Sequence, residues 1–288
     1  MAHPSIATLS GRALVEVAGE DAHAFLDRLL TVDVDDVVAR GAGFGALLTP
    51  QGKIIADFVI TATDGGFLID LPAPLAADVI KRLTMYRLRA RATIREAGAD
   101  VAVLVVFGGD GAEGPALPGR AVADPRHVGL GLRAYVPAEA AEGLVNAGEA
   151  EWQALRTRLG IPEGGTDFAY GDAFPHEAAM DQIAGVDFEK GCYVGQEVVS
   201  RMQHRGTARK RPVLLHGAAD LPPTGTPVTA DGKSAGTLGS VAGTDGLAIL
   251  RLDRIHGAAA LRAGDVAVTA SLPGWAGYGW PEVAAAEE

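Results

Sequence analysis

The sequence is short of several things, and each shortage narrows what the chain can be. It holds one cysteine, Cys192, in 288 residues. One thiol cannot form an internal disulfide framework, nor a self-contained zinc or iron–sulfur cage, which needs several ligands. Any metal cluster this chain handles must therefore be completed by a partner. A lone cysteine also fits a reducing compartment, so a cytoplasmic location is expected. Long apolar runs are missing, because Gly, Pro or a charge interrupts each one; no transmembrane helix fits and no membrane role is expected. The first five residues, Met-Ala-His-Pro-Ser, lack the basic-then-apolar order of a secretory signal. Cations are outnumbered, Lys plus Arg 25 against Asp plus Glu 36, for a formal net charge of −11. An acidic surface repels a phosphate lattice, so nucleic acid is not expected as a direct ligand. The seven histidines show neither His-x-His nor His-Glu-x-x-His spacing, and no metal site is expected.

What is present is enough to bury a substantial core: 48% of the residues are hydrophobic, and the length suits two or three units. Residues 12–17 read as a strand, and Phe25, Leu26, Leu29 and Leu30 fall at helical spacing within 21–30. Strands over 44–49 and 54–61 flank the turn Pro50-Gln51-Gly52, and Asp64-Gly65-Gly66 turns the chain into a strand over 67–71. Leu75, Val79, Ile80 and Leu83 predict an amphipathic helix, followed by a strand over 90–95. That order suggests an α+β unit of ferredoxin-like kind. A second set opens with the apolar run 101–107 and crosses a Gly/Pro-rich loop over 108–119. It continues with strands at 120–123 and 129–136 and helices at 137–147 and 151–159. After Arg211 short β-rich pieces alternate with turn signals, which suits a small antiparallel barrel. The expected division is 1–98, 99–212 and 213–288, with a frayed end over 284–288.

Two motif-like strings do not qualify. Gly41-Ala-Gly-Phe-Gly45 has neither the spacing nor the strand–turn–helix setting of a dinucleotide loop. Gly232-Lys-Ser-Ala-Gly236 imitates a nucleophile elbow, but β pieces flank it where a helix is required, so a hairpin turn is expected.

The informative stretch is 190–201, Lys-Gly-Cys-Tyr-Val-Gly-Gln-Glu-Val-Val-Ser-Arg. Gly191 and Gly195 bracket a turn of exposed backbone. From Gln196 the chain can run as a short helix, which places Cys192 just ahead of a helix N-terminus, where a thiolate is favoured. Lys190 and Arg201 add positive charge. Two readings of Cys192 are open on chemistry alone: a small buried apolar residue, or a reactive thiol. The same holds for Arg201, Arg205, Arg209, Lys210 and Arg211, a run with His204 and no carboxylate. It is either a solvated face or a local anion site. Asp57, just beyond the Pro50-Gln51-Gly52 turn, is either a solvent-facing strand residue or part of a site.

The string Lys190-Gly-Cys-Tyr-x-Gly-Gln-Glu-x-x-x-Arg201 resembles the signature of the YgfZ family, folate-binding relatives of the glycine-cleavage T-protein, an aminomethyltransferase. Weaker likenesses cover nearly the whole chain: Pro50 to Asp57, Asp124-Pro-Arg126 with Arg133 and Tyr135, Arg156 to Pro162, Phe174 to Asp181, and Gly236 to Ser240. The T-protein carries paired aspartates near the pterin, whereas Ala56 precedes Asp57 here. Its glutamate after the central glycines is also missing.

The resemblance implies two α+β subdomains forming a folate-binding unit with a central channel, closed by a C-terminal antiparallel β-barrel. It implies a tetrahydrofolate-binding accessory factor for assembly or repair of iron–sulfur cluster proteins, with effects on tRNA modification, rather than a conventional enzyme. Its partners would be folate and iron–sulfur client proteins or their assembly machinery. Carried onto this sequence, Cys192 is the reactive thiol and Asp57 the acid facing the pterin. Lys190, Gly191, Tyr193, Gln196, Glu197 and Arg201 are the further folate-contacting positions. The alternative is a tetrahydrofolate-dependent aminomethyl transfer enzyme that relies on Asp57.

Overall fold

A computed structural model of the chain describes residues 3–109, 116–206 and 208–281. The expected frayed end and the middle of the Gly/Pro-rich loop lie outside them. The strands are β1 (Ser5–Thr8), β2 (Arg12–Ala18), β3 (Ala42–Leu48), β4 (Ile54–Thr63), β5 (Gly66–Pro72), β6 (Thr93–Glu96), β7 (Val101–Phe107), β8 (Arg120–Ala123) and β9 (Leu132–Pro137). These are followed by β10 (Lys210–Gly217), β11 (Pro227–Ala230), β12 (Lys233–Ala242), β13 (Asp245–Arg251), β14 (Leu261–Ala263) and β15 (Val266–Ser271). The helices are α1 (Ala22–Asp27), α2 (Val34–Arg40), α3 (Ala76–Arg87), α4 (Ala138–Ala141), α5 (Glu149–Leu159), α6 (Gln196–Arg205) and α7 (Leu252–Ile255). The chain divides into two compact units, residues 1–152 with 183–198 and residues 153–182 with 199–288.

The first unit contains two antiparallel sheets. One runs β3-β4-β5-β2-β6, the other β1-β7-β9-β8. The helical side of the five-stranded sheet holds the main core, with Val17, Leu26, Val37, Ile60, Ile69 and Leu83 all buried. Helix α2 is only seven residues long, with Val34 and Val37 buried, and its ends explain why it forms. Asp33 accepts hydrogen bonds from the amides of Asp35 at 2.7 Å and Asp36 at 3.1 Å, while Asp35 and Asp36 sit where the helix dipole favours negative charge. Gly41 closes it in a left-handed conformation.

Most expected elements are present. The periodicity over 21–30 yields a helix only to Asp27, and the 137–147 pattern only the single turn of α4. The glycines at 41–45 belong to the α2–β3 connection and a buried strand, and the 232–236 string lies in the β11–β12 hairpin and the strand after it.

The second unit is built on a closed barrel in the order β10-β13-β12-β11-β14-β15, sealed by β15 pairing with β10. Its interior is packed with Val213, Leu215, Val228, Leu238, Ala248 and Leu250. Arg156 is fully buried and ties helix α5 to this barrel. It donates to the Ile161 carbonyl at 2.5 Å, to Asp167 at 3.0 Å and to the Ser240 hydroxyl at 2.6 Å. The α+β class with a C-terminal barrel therefore stands.

Candidate functional site

The loop carrying Cys192 is fixed to the first unit at several points. Thr31 is fully buried; its hydroxyl donates to the Gly185 carbonyl at 2.6 Å and accepts from the Ala46 amide at 2.8 Å. The Asp187 amide returns to the Thr31 carbonyl at 2.8 Å. Asp187 then turns the chain by accepting from the amides of Glu189 at 2.7 Å and Lys190 at 2.8 Å.

Lys190 is the strongest clamp. Its ammonium lies 2.8 Å from the Asp27 carboxylate and 2.7, 3.1 and 2.7 Å from the carbonyls of Asp27, Leu30 and Val32. An ammonium has three N–H donors, and all are committed inside the fold. Burial alone would raise the Asp27 carboxyl, but the hydrogen bond and charge of Lys190 outweigh it and hold the group below the usual carboxylate range. Lys190, expected among the folate-contacting positions, thus has its ammonium engaged within the fold.

Tyr193 is buried too, its ring centroid 5.9 Å from the Lys190 ammonium. Burial, reinforced by the Asp187 charge, pushes its phenol up to about 12. Gly195 adopts φ +85°, and a Cβ there would stand 2.6 Å from the Thr49 carbonyl and 3.1 Å from the Gly52 Cα. Gly52, also at positive φ, meets Val198 from the other side. The Pro50-Gln51-Gly52 turn and the cysteine loop thus pack backbone to backbone. Gly191 is different: its φ is ordinary, and a Cβ added there would meet nothing within 4 Å.

Between these anchors Cys192 is exposed with a free thiol. Helix α6 starts at Gln196, four residues on. Glu197 and Arg201, one helical turn apart on α6, are both exposed. Part of the basic run that follows is already paired. Arg211 donates to Asp181 and to the His176 carbonyl, both at 2.6 Å, and covers the Tyr278 ring; Lys210 lies 3.8 Å from Glu177.

Asp57 lies on β4 opposite Ala46 and is only 7% exposed. It is not a solvent-facing strand residue. By strand alternation it shares a face with Val59 and Thr61. That face carries a buried ionic network that the sequence does not announce. Asp70 binds Arg12 and Arg133, each at 2.6 Å, and Arg133 reaches Asp124 at 3.4 Å. Asp124 is also held by Arg126 at 2.9 and 2.7 Å. Burial would raise both aspartates, but the arginines hold them well below the carboxylate range. The guanidinium of Arg126 lies over the Phe44 and Trp152 rings, and that of Arg133 also lies over Trp152. Two buried donors in this cluster, Arg133 Nε and Trp152 Nε1, have no acceptor among the described residues. A cavity of about 400 Å³ opens nearby, lined by Val32, Val37, Phe44, Pro125, Val186 and Asp187 among others.

No group of three or more His, Cys, Asp or Glu side chains among the described residues is arranged to hold a metal ion. No helix among them is long and apolar enough to cross a membrane.

Two antiparallel sheets followed by a closed six-stranded barrel define an aminomethyltransferase-like fold. The glycine cleavage system aminomethyltransferase T of Bartonella henselae shares it with a TM-score of 0.77, covering 94% of this chain and 86% of that one at 18% identity. Residues 209–278 match the family described as "CAF17, C-terminal beta-barrel domain". The human "Iron-sulfur cluster assembly factor IBA57, mitochondrial" is 32% identical over 308 residues, spanning 96% of this chain and 85% of its own length. The mouse protein of that name is also 32% identical, with the same coverage. The Neurospora crassa homolog is 34% identical over 244 residues, 75% of this chain and 56% of that protein. The chain belongs to the YgfZ/IBA57 family. Because these relatives are mitochondrial, the cytoplasmic expectation is withdrawn. A low cysteine count separates reducing from oxidising surroundings and does not choose among reducing ones.

Proposed function

We propose that this protein is a tetrahydrofolate-binding accessory factor for assembly or repair of iron–sulfur proteins, with effects on tRNA modification, and that Cys192 is its working group. The observation that carries this is the contrast along the loop: Lys190 and Tyr193 are buried and clamped, whereas Cys192 between them is exposed. A thiol displayed on an anchored loop suits contact with another molecule. The names of the relatives supply the substrate class. One soft thiolate fills one position on an iron–sulfur cluster, so the remaining ligands come from a client protein or the assembly machinery.

The residues of the first unit fit a reduced folate chemically. Arg133 Nε and Trp152 Nε1 are buried donors lacking acceptors among the described residues, suited to the carbonyl and ring nitrogens of a pterin. Asp57 suits its N–H groups, and Phe44 lines the nearby cavity. Gly191, Tyr193, Gln196 and Glu197 remain proposed contacts from the cysteine loop and the start of α6, and Arg201 a proposed carboxylate receiver. A reduced folate, when bound, supplies a one-carbon carrier and an oxidisable ring.

Calorimetric titration with tetrahydrofolate, wild type against Trp152→Phe and Asp57→Asn, tests the folate half. Saturable binding weakened in both variants is expected; absence of binding to wild type overturns it. The buried setting of Asp57 favours a second reading, aminomethyl transfer to tetrahydrofolate. Formation of methylene-tetrahydrofolate from a charged lipoyl carrier, lost in Asp57→Asn, would establish that activity.

A further inference from the structure

Helix α3 ends in a basic surface. Residues 79–95 contain six cations and no carboxylate, in a protein whose net charge is −11. Arg91 pairs with Glu20 and Asp21, Arg95 pairs with Glu16, and Arg87 donates to the Ala92 carbonyl. Lys81, Arg82 and Arg89 make no hydrogen bond or ion pair among the described residues. Helical spacing sets Lys81 and Arg82 one turn before Met85 and Tyr86. Met85 is 69% exposed, Tyr86 37% and Leu88 87%.

Leu88 makes the arrangement costly. It ends α3 at φ 46°, ψ −104°, a conformation that glycine adopts freely and a leucine only under strain of about 1–3 kcal/mol. The strain gains no burial, because the side chain stands in solvent. Glycine is the ordinary residue for a helix end of positive φ, and leucine here serves display.

We infer that the α3 terminus is a docking surface for an acidic, apolar-centred segment of a partner protein, held by Met85, Tyr86 and Leu88 and flanked by Lys81, Arg82 and Arg89. The composition matches protein interfaces, which are enriched in Tyr, Met and Arg. Charge chooses the partner. Screening leaves a peptide-sized segment sensitive to charges within about 8 Å, and the three cations without partners among the described residues flank the apolar positions along the chain. An anionic bilayer or a nucleic acid extends further and meets the repulsion of the acidic remainder. This surface works independently of Cys192 and of folate.

The probe is a labelled acidic amphipathic peptide, a Leu stripe flanked by Glu, titrated against the full chain by fluorescence anisotropy. A Leu→Ser version of the peptide, anionic phosphatidylglycerol vesicles and poly(U) RNA run beside it. Saturable binding of the Leu/Glu peptide alone is expected, weakened about tenfold or more by Leu88→Gly and by Arg82→Glu combined with Arg89→Glu. Leu88→Gly is also expected to raise the thermal midpoint, so lost binding is not lost folding. No saturable peptide binding, equal binding by both variants, or preference for vesicles or RNA would overturn the inference.

Discussion

The Lys190 ammonium sits 2.8 Å from the Asp27 carboxylate, so the residue two before the exposed thiol is anchored to a segment 163 positions earlier in the chain. Sequence adjacency suggests a cation serving Cys192. The fold uses that charge to hold the loop.

Replacing Lys190 by Met should therefore act on stability first. It removes the ammonium from the Asp27 carboxylate and from the carbonyls of Asp27, Leu30 and Val32, at a cost of about 2–4 kcal/mol. Urea denaturation measures it, and limited proteolysis should show earlier cleavage near the cysteine loop. A change under about 0.5 kcal/mol would mean the clamp is not structural.

Gly191 and Gly195 should behave oppositely, although both flank the cysteine motif. Gly195→Ala forces a Cβ against the Thr49 carbonyl at positive φ and should destabilise by about 2 kcal/mol or more. Gly191→Ala meets open space and should leave the thermal midpoint nearly unchanged. Equal shifts would contradict the backbone packing of Gly195 on the Gly52 turn.

The acid limb of the stability curve should be steep. Asp27, Asp70 and Asp124 all have folded-state pKa values below their ordinary ones. Their contribution is thus complete above the unfolded value of about 3.9 and is lost as pH falls through the folded values. Unfolding midpoints measured from about pH 6 down to about pH 2 should fall with more than one proton taken up. Asp70→Asn, which leaves Arg12 and Arg133 without their shared carboxylate, should cost about 3–5 kcal/mol and flatten that limb.

The legible part of this fold is the part governed by local periodicity. Val15, Val17, Ile69 and Leu71 alternate on their strands, and Val79 and Leu83 mark the buried stripe of α3. Helix α2 escapes because its seven residues are too few to show a helical period, although Asp33, Asp35, Asp36 and Gly41 spell its two ends. The ionic network is not legible at all. Arg12 and Arg133 meet Asp70 across 58 and 63 positions, and charged residues on strands normally indicate a solvent face. Cys192 and Asp57 stand out as residue types, but only tertiary packing shows that the first is displayed and the second enclosed.

The most direct measurement is iron–sulfur enzyme activity in a strain lacking its own factor, supplied with wild type or Cys192→Ala. The thiol is exposed, so the variant should fold with an unchanged thermal midpoint and accumulate to the same level. Wild type should restore activity and Cys192→Ala should not; full restoration by the alanine protein would contradict a working role for the thiol.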